Sequence, residues 1–406
     1  MRSLPRSGKW GRIGFVALVS LGLCGDWIRS SQAQDLRQFV SQLALPAPSA
    51  QQDGEATRDR AVAVAMSPTG KFLAVGLESG HLAVWNLTTK KLQFTQPAHE
   101  RPVKLLSFGA EDRQMLTAAD DLQVRLWDLD EGRAVVEYEG APMRAMYDIC
   151  LSSNARFALA RGFDGFGTLW DLRVNRKVTD LFTYGFAFDP RERFCASFAR
   201  RQPGVKCLRL ADGGEPTTFL EDAMVQCLAI DPTGDLLACG CLQGDASVVR
   251  LIQSADGQEM GTVTLPEARD ANGPPGPTAL AFSGNGQVLA IGLSDARVLR
   301  VNVSSQEVTE THALSSTDSI GGLAWVGTRE ALVCGSSSDT DGNVSGVCWK
   351  AGRSEPVWKA DGVIACDARR MLAAWANRDG DVVLADAKTG KVLRQLRPLE
   401  RGEAWR

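Results

Sequence analysis

Val124-Arg125-Leu126-Trp127-Asp128-Leu129 decides the fold, because the chain writes this stretch again and again. Leu82-Ala83-Val84-Trp85-Asn86-Leu87 precedes it, and Gly167-Thr168-Leu169-Trp170-Asp171-Leu172 follows. The same slot returns in looser form at Val205–Leu210, Ser247–Ile252, Val298–Val303, Val347–Ala351 and Val382–Ala387. With Trp85, Trp127, Trp170, Leu208, Arg250, Arg300, Trp349 and Ala385 as markers, the spacings are 42, 43, 38, 42, 50, 49 and 36. A repeat of that period means one stacked or circular array, in which each unit buries its apolar face against its neighbours.

The first copy shows what a unit contains. Val62, Val64 and Met66 alternate with alanines, the pattern of a strand with two unequal faces. Ser67-Pro68-Thr69-Gly70 turns the chain, since proline presets one backbone angle and glycine permits a positive one. Phe72–Leu77 returns, Glu78-Ser79-Gly80-His81 turns again, and Leu82–Leu87 runs back. Thr88–Lys90 then leads into Lys91–Thr95, giving a four-stranded antiparallel meander. Asp231-Pro232-Thr233-Gly234 and Ser283-Gly284-Asn285-Gly286 repeat the first turn in later copies.

These turns, with the pairs Trp127-Asp128 and Trp170-Asp171, resemble the WD-repeat family of β-propellers from Ala61 to about Leu396. The resemblance implies an all-β fold, a β-propeller of four-stranded antiparallel blades. Lys391–Leu396 supplies an outer strand to the last unit, so eight blades are expected; a ring of seven would leave the seventh repeat outside. It also implies that His99, Thr117, Asp121 and Trp127 form the family's structural tetrad, a relay from aspartate through histidine to hydroxyl and indole. Ala98 stands where the family's motif has glycine before the histidine. The third repeat keeps Asp164 and Trp170 but has Ala160 in the hydroxyl slot.

The ends read differently. Arg2, Arg6, Lys9 and Arg12 precede an apolar run, Ile13 to Leu23, and the small-residue site Ser31-Gln32-Ala33 follows. That order is expected of a signal peptide over residues 1–33, cut after Ala33, and the apolar run is too short for a spanning helix. Residues 34–60 form a short amphipathic helix at Asp35–Leu43 and a polar linker, 61–397 the propeller, and 398–406 a tail. The expected location is extracytoplasmic, periplasmic or secreted. Lipidation at Cys24 is the alternative, although Leu23 stands where a lipobox usually has a small residue.

The search for chemistry finds little. A net charge of −3 lacks the basic excess of a nucleic-acid binder. Ten cysteines include Cys24; the others lie singly, without the paired spacing of a zinc site, and read as small buried hydrophobes. Disulfides are chemically possible at the Cys195/Cys207 and Cys334/Cys348 hairpins. The three histidines, His81, His99 and His312, are scattered, with His312 placed in a loop. Asp339–Asn343 begins like a calcium loop, but Val344 and Lys350 break the pattern, and a hairpin at Asp341-Gly342 fits better. Ala385–Lys391 is similar to the docking motif of quinoprotein and outer-membrane-assembly propellers, and Val392-Leu393-Arg394 replaces its closing tryptophan.

What remains is surface. By resemblance, the loops from outer strand to next inner strand, and from second to third strand, share one face. Arg101, Arg144, Arg161, Arg200, Arg201 and Arg378 map on or beside it, and their convergence would favour a carboxylate or phosphate. Neighbours such as Glu100, Asp164 and Asp379 are available to neutralise them.

The reading is an exported, non-enzymatic, monomeric propeller without a cofactor, holding a protein or peptide, acidic if the arginines converge. The alternatives are a channel-bound small-molecule or quinoprotein-like enzyme and an envelope-assembly lipoprotein. The mass of the chain recovered from its host tests the first step. A start at Gln34 is expected; a lipid-modified start at Cys24 would replace export by anchoring.

Overall fold

The computed structural model describes residues 59–396, except 110–111, 139–145, 163, 244–245, 267–274, 315–318, 327–330, 338–343, 351, 354, 362, 370–371 and 378–379. Several expectations therefore lie outside the described residues: the signal peptide with Cys24, the 35–43 helix, most of the linker, the tail, Arg144, Arg378, Asp379 and the Asp341-Gly342 turn. The side chains of Cys334 and Cys366 do as well.

Among the described residues, the chain forms eight four-stranded antiparallel sheets, each a meander in sequence order. The first contains Ala61–Met66, Phe72–Leu77, His81–Asn86 and Lys91–Pro97. The eighth runs from Val363–Arg369 to Val392–Leu396. The burial of the strands explains their composition. In the first sheet the second strand is buried throughout, whereas the outer strand, Lys91–Pro97, is exposed or half-buried along its length. Small and branched apolar residues fill the inner strands, and polar residues collect outside.

The sheets close on themselves. The innermost strand of the first sheet packs on that of the eighth. Val64, Leu73 and Trp85 share one apolar cluster with Ala374, Val382 and Leu396. Arg394 Nη1 donates to the Lys90 carbonyl at 3.1 Å, and the Ala61 N–H donates to the Gly380 carbonyl at 3.3 Å. The seventh sheet, from Ser319–Val326 to Trp358–Asp361, packs between the sixth and the eighth.

Two devices join neighbouring sheets. The first is close approach at glycine. A Cβ on Gly76 would sit 2.1 Å from the Val103 carbonyl oxygen of the next innermost strand. Gly240 and Gly292 occupy the matching place in the fifth and sixth sheets, where a Cβ would meet Pro277 at 2.9 Å and Ile320 at 2.5 Å. Narrow inner spacing is thus bought by having no side chain there. The second device is aromatic. The third-strand Trp127 stacks on Phe94, from the outer strand of the preceding sheet, at 6.2 Å. Trp170 leans on Tyr138 at 5.4 Å, and Trp349 stacks on His312 at 5.2 Å, in the same relation.

The aspartate of the Trp-Asp pair has its own local task. Asp128 Oδ1 accepts the N–H groups of Asp130 and Glu131, at 2.9 and 3.0 Å, and so fixes the turn into the outer strand. Asn86 and Asn302 do the same in their copies.

The seven cysteines whose side chains are described are buried. Burial pushes the Cys195 and Cys207 thiols up, the latter to about 12. They are packing residues here. Replacing Gly76 by Ala forces a backbone shift where two innermost strands meet. It is expected to destabilise the fold by about 3 kcal/mol or more, read from urea unfolding; an unchanged midpoint would refute the close-approach account.

Candidate interaction face

The four expected tetrad residues come from four consecutive segments of the same part of the ring. His99 sits in the loop before Val103–Phe108, Thr117 in Gln114–Ala119, Asp121 in the following turn, and Trp127 in Val124–Asp128. Trp127 Nε1 donates to Thr117 Oγ1 at 3.0 Å, and His99 Nε2 lies 2.8 Å from the same oxygen. His99 Nδ1 lies 2.9 Å from an Asp121 carboxylate oxygen. One proton assignment satisfies every group: the indole donates to the hydroxyl, the hydroxyl donates to Nε2, and Nδ1–H donates to Asp121. That assignment needs a neutral imidazole. Burial lowers the His99 pKa, against the opposing pull of Asp121. Asp121 also accepts the N–H groups of Glu100 and Gln123, so the relay ties two loops of one face together. This is support for loops, with no nucleophile aimed at an opening.

His312 is not in a loop. It lies in the outer strand Val308–Ala313, buried, with Nε2 3.2 Å from Glu310. Glu310 also pairs with the buried Arg300 at 3.2 Å, and Arg300 lies over the Trp325 ring at 4.8 Å. Burial lowers the pKa of His312 as well. The third histidine, His81, opens the third strand of the first sheet and contacts Ser79 Oγ at 2.9 Å. Among the described residues, no group of three or more His, Cys, Asp or Glu is placed to hold a metal ion.

The arginines divide. Arg101 is exposed on the loop between the first two sheets. Arg200 and Arg201 are exposed on the second-to-third-strand turn of the fourth sheet. Arg161 is a correction: it is 1% exposed and belongs to the interior. It stands directly across from Asp148 in the strand pairing, with Nε 3.8 Å from that carboxylate, and lies over the Tyr147 ring at 4.1 Å. Its neutralising acid is thus Asp148, not Asp164, whose Oδ1 instead accepts the Phe166 N–H at 3.3 Å. Arg161 and Arg200 both act on Tyr147, lowering its pKa, yet burial dominates and pushes it to about 12. Arg101 shares no contact with that group.

Beside Arg200 is a feature that the sequence reading missed. Phe166 opens the third strand of the third sheet and Phe182 ends its outer strand, directly across. They are 46% and 39% exposed. Their rings meet edge to face at 5.5 Å, Phe182 meets Tyr184 at 5.6 Å, and Arg200 lies over Tyr184 at 5.7 Å. A signal was present: Phe166 occupies the slot that holds His81 and Gln123 in the first two copies, an apolar residue where a polar one is usual. Other exposed large apolar side chains among the described residues, such as Met260 and Val308, lie on outer strands.

Known proteins agree with this architecture. Residues 90–128 match the WD domain, G-beta repeat family. The chain is 23% identical over 280 residues to periodic tryptophan protein 2 homolog of Dictyostelium discoideum, covering 64% of this chain and 30% of that protein. It is 24% identical over 277 residues to periodic tryptophan protein 2 of Arabidopsis thaliana, covering 64% and 31%. The chain therefore spans about a third of the length of these relatives. Among solved structures it resembles the computationally designed Ika8 protein (TM-score 0.59, 18% identity, 85% of this chain and 98% of that one). It also resembles the Cps50 (Swd1) β-propeller domain of Myceliophteria thermophila (TM-score 0.52, 17% identity, 84% and 99%). An enzyme, dihydro-heme d1 dehydrogenase NirN in complex with DHE, has a similar fold (TM-score 0.63, 12% identity, 87% and 82%). These likenesses agree with a WD40-type β-propeller fold, and the family's repeat is matched over residues 90–128.

The relay makes two predictions. Thr117→Val keeps the shape but leaves the indole N–H and the imidazole without a partner, at a cost of about 2 kcal/mol. The pH dependence follows from the depressed histidines. The unfolded chain binds protons at His99 and His312 near pH 6.5 while the folded chain does not. Stability is therefore full above about pH 6.5 and falls as pH drops through that value towards the lower folded pKa. Thermal unfolding between pH 8 and 5 checks the sign, and a melting temperature that rises on acidification over that range would contradict it.

Proposed function

We propose that the chain is an exported, non-enzymatic WD40-like scaffold that holds a protein or peptide on the face carrying the second-to-third-strand and sheet-to-sheet loops. One observation carries this reading: the exposed Phe166 and Phe182, with half-buried Tyr184 beside them and Arg200 over its ring. Aromatic and arginine side chains dominate the binding energy of protein interfaces, and Phe166 and Phe182 are mounted on paired strands. A surface held by a closed ring loses little conformational entropy when it is covered. Likeness to WD40-repeat propellers supports the same reading, since the family resemblance implies interaction through loops on a fixed disc. Export rests on the basic, apolar and small-residue order of the first 33 residues. The enzymatic alternative draws on the NirN likeness, which is one of fold.

Affinity capture with the full chain, tagged at its C-terminus in its own host, tests the proposal. A stoichiometric partner is expected, with capture reduced at least tenfold by Phe166→Ala/Phe182→Ala and little changed by Val174→Ala on the opposite face. Equal capture by all three proteins would remove this face from the account.

A further inference from the structure

Phe166 and Phe182 stand directly across from each other on paired strands, and the row of rings continues to Tyr184 at 5.5 and 5.6 Å. The turn beneath is shaped to them. Gly165 has φ +86°, and a Cβ there would lie 2.9 Å from the Tyr184 ring and 3.0 Å from that of Phe182. The rings close over the turn, yet both phenylalanines remain exposed. Their side chains offer no hydrogen-bonding group, so the surface that covers them is apolar.

The chain itself carries such a surface and delivers it to this face. The described residues begin at Asp59, whose carboxylate accepts the Ser79 N–H at 3.0 Å and the Ser79 hydroxyl at 2.5 Å. The Arg60 carbonyl accepts the Glu78 N–H at 2.9 Å. Glu78 and Ser79 form the second-to-third-strand turn of the first sheet, so the preceding chain enters on the loop face, where Phe166 also lies. Upstream, Leu36, Phe39, Val40 and Leu43 recur at helical spacing, with Arg37, Gln38, Ser41 and Gln42 on the other side. A helix of that length is not stable alone in water and needs a surface for its stripe. From Leu36 to Leu43 the stripe is about 10 Å long, which matches the row of rings. Residues 44–58 then span about 50 Å when extended. The rings are two sheets away from Asp59, roughly 20 Å at the usual spacing of packed sheets. Leu242, the other large apolar side chain exposed on this face among the described residues, lies two sheets further round.

We infer that residues 35–43 of this chain dock in cis on the aromatic rim, with the Leu36–Leu43 stripe over Phe166 and Phe182. This step rests on the proposed reading of that face as the docking surface. The segment is its resident occupant, and a partner displaces it. Tethering holds the segment at an effective concentration on the order of millimolar, so a weak contact is enough to keep it seated.

Photo-cross-linking of the full chain as purified from its host tests this, with p-benzoylphenylalanine in place of Phe39 and the product read by mass and peptide mapping. The expected cross-link joins residue 39 to residues 164–184 of the same chain, independently of protein concentration. It should fall at least tenfold in Phe166→Ala/Phe182→Ala; unfolding midpoints are recorded, and Phe166→Gln alone serves if the double variant is not folded. Capture of the partner should rise at least threefold in Leu36→Ser/Leu43→Ser. A product of dimer mass would assign the segment to a second copy and overturn docking in cis. Unchanged capture beside the expected cross-link would overturn displacement by the partner. Cross-links elsewhere on the propeller, or none, would overturn the inference. The proposed face then stands if Phe166→Ala/Phe182→Ala still reduces capture, and falls with the inference if every variant captures equally.

Discussion

The rest of the structure depends on how closely the innermost strands approach one another. Neighbouring sheets pack this closely only if the second strand yields space to the next sheet, and at Gly76, Gly240 and Gly292 it does so by lacking a side chain. Further out, where sheets diverge, the gap is filled by third-strand tryptophans stacked on an aromatic from the previous outer strand. Glycine inside and indole outside give the sheets that carry them a wedge shape. The polar residues of the repeats serve that wedge: Asp128 fixes a turn, and Thr117 gives the Trp127 indole its hydrogen-bond partner.

Much of this was legible in the sequence, because a repeat turns weak local signals into a strong periodic one. The Leu82–Leu87, Val124–Leu129 and Gly167–Leu172 copies gave strand order and turn positions before any coordinate. The boundaries shifted by a residue or two, as at His81, which begins a strand instead of closing a turn. What was not legible depended on which way a side chain faces. Arg161 reads as a loop-face arginine from its place near Gly162, yet its pairing with Asp148 turns it inward. His312 reads as a loop residue because nothing nearby in sequence predicts that Trp349, a whole repeat later, will cover it. The aromatic rim was missed for a related reason: Phe166 and Phe182 lie sixteen positions apart and meet only once two strands are paired.

The division of labour along the ring follows from these positions. Buried cysteines, the His99 relay and the Arg300–Glu310–His312 group hold sheets and loops in place. The loop face carries what is left exposed and chemically distinctive, and it is densest between the third and fourth sheets.

Hydrogen exchange of the protein alone and with its captured partner tests the central claim most directly. The account predicts slower exchange on binding at residues 164–166, 182–184 and 199–204, all at the loop face, with the turns at 67–70 and 231–235 on the opposite face unchanged. Protection confined to those opposite turns, with 164–166 and 199–204 exchanging as before, would contradict it.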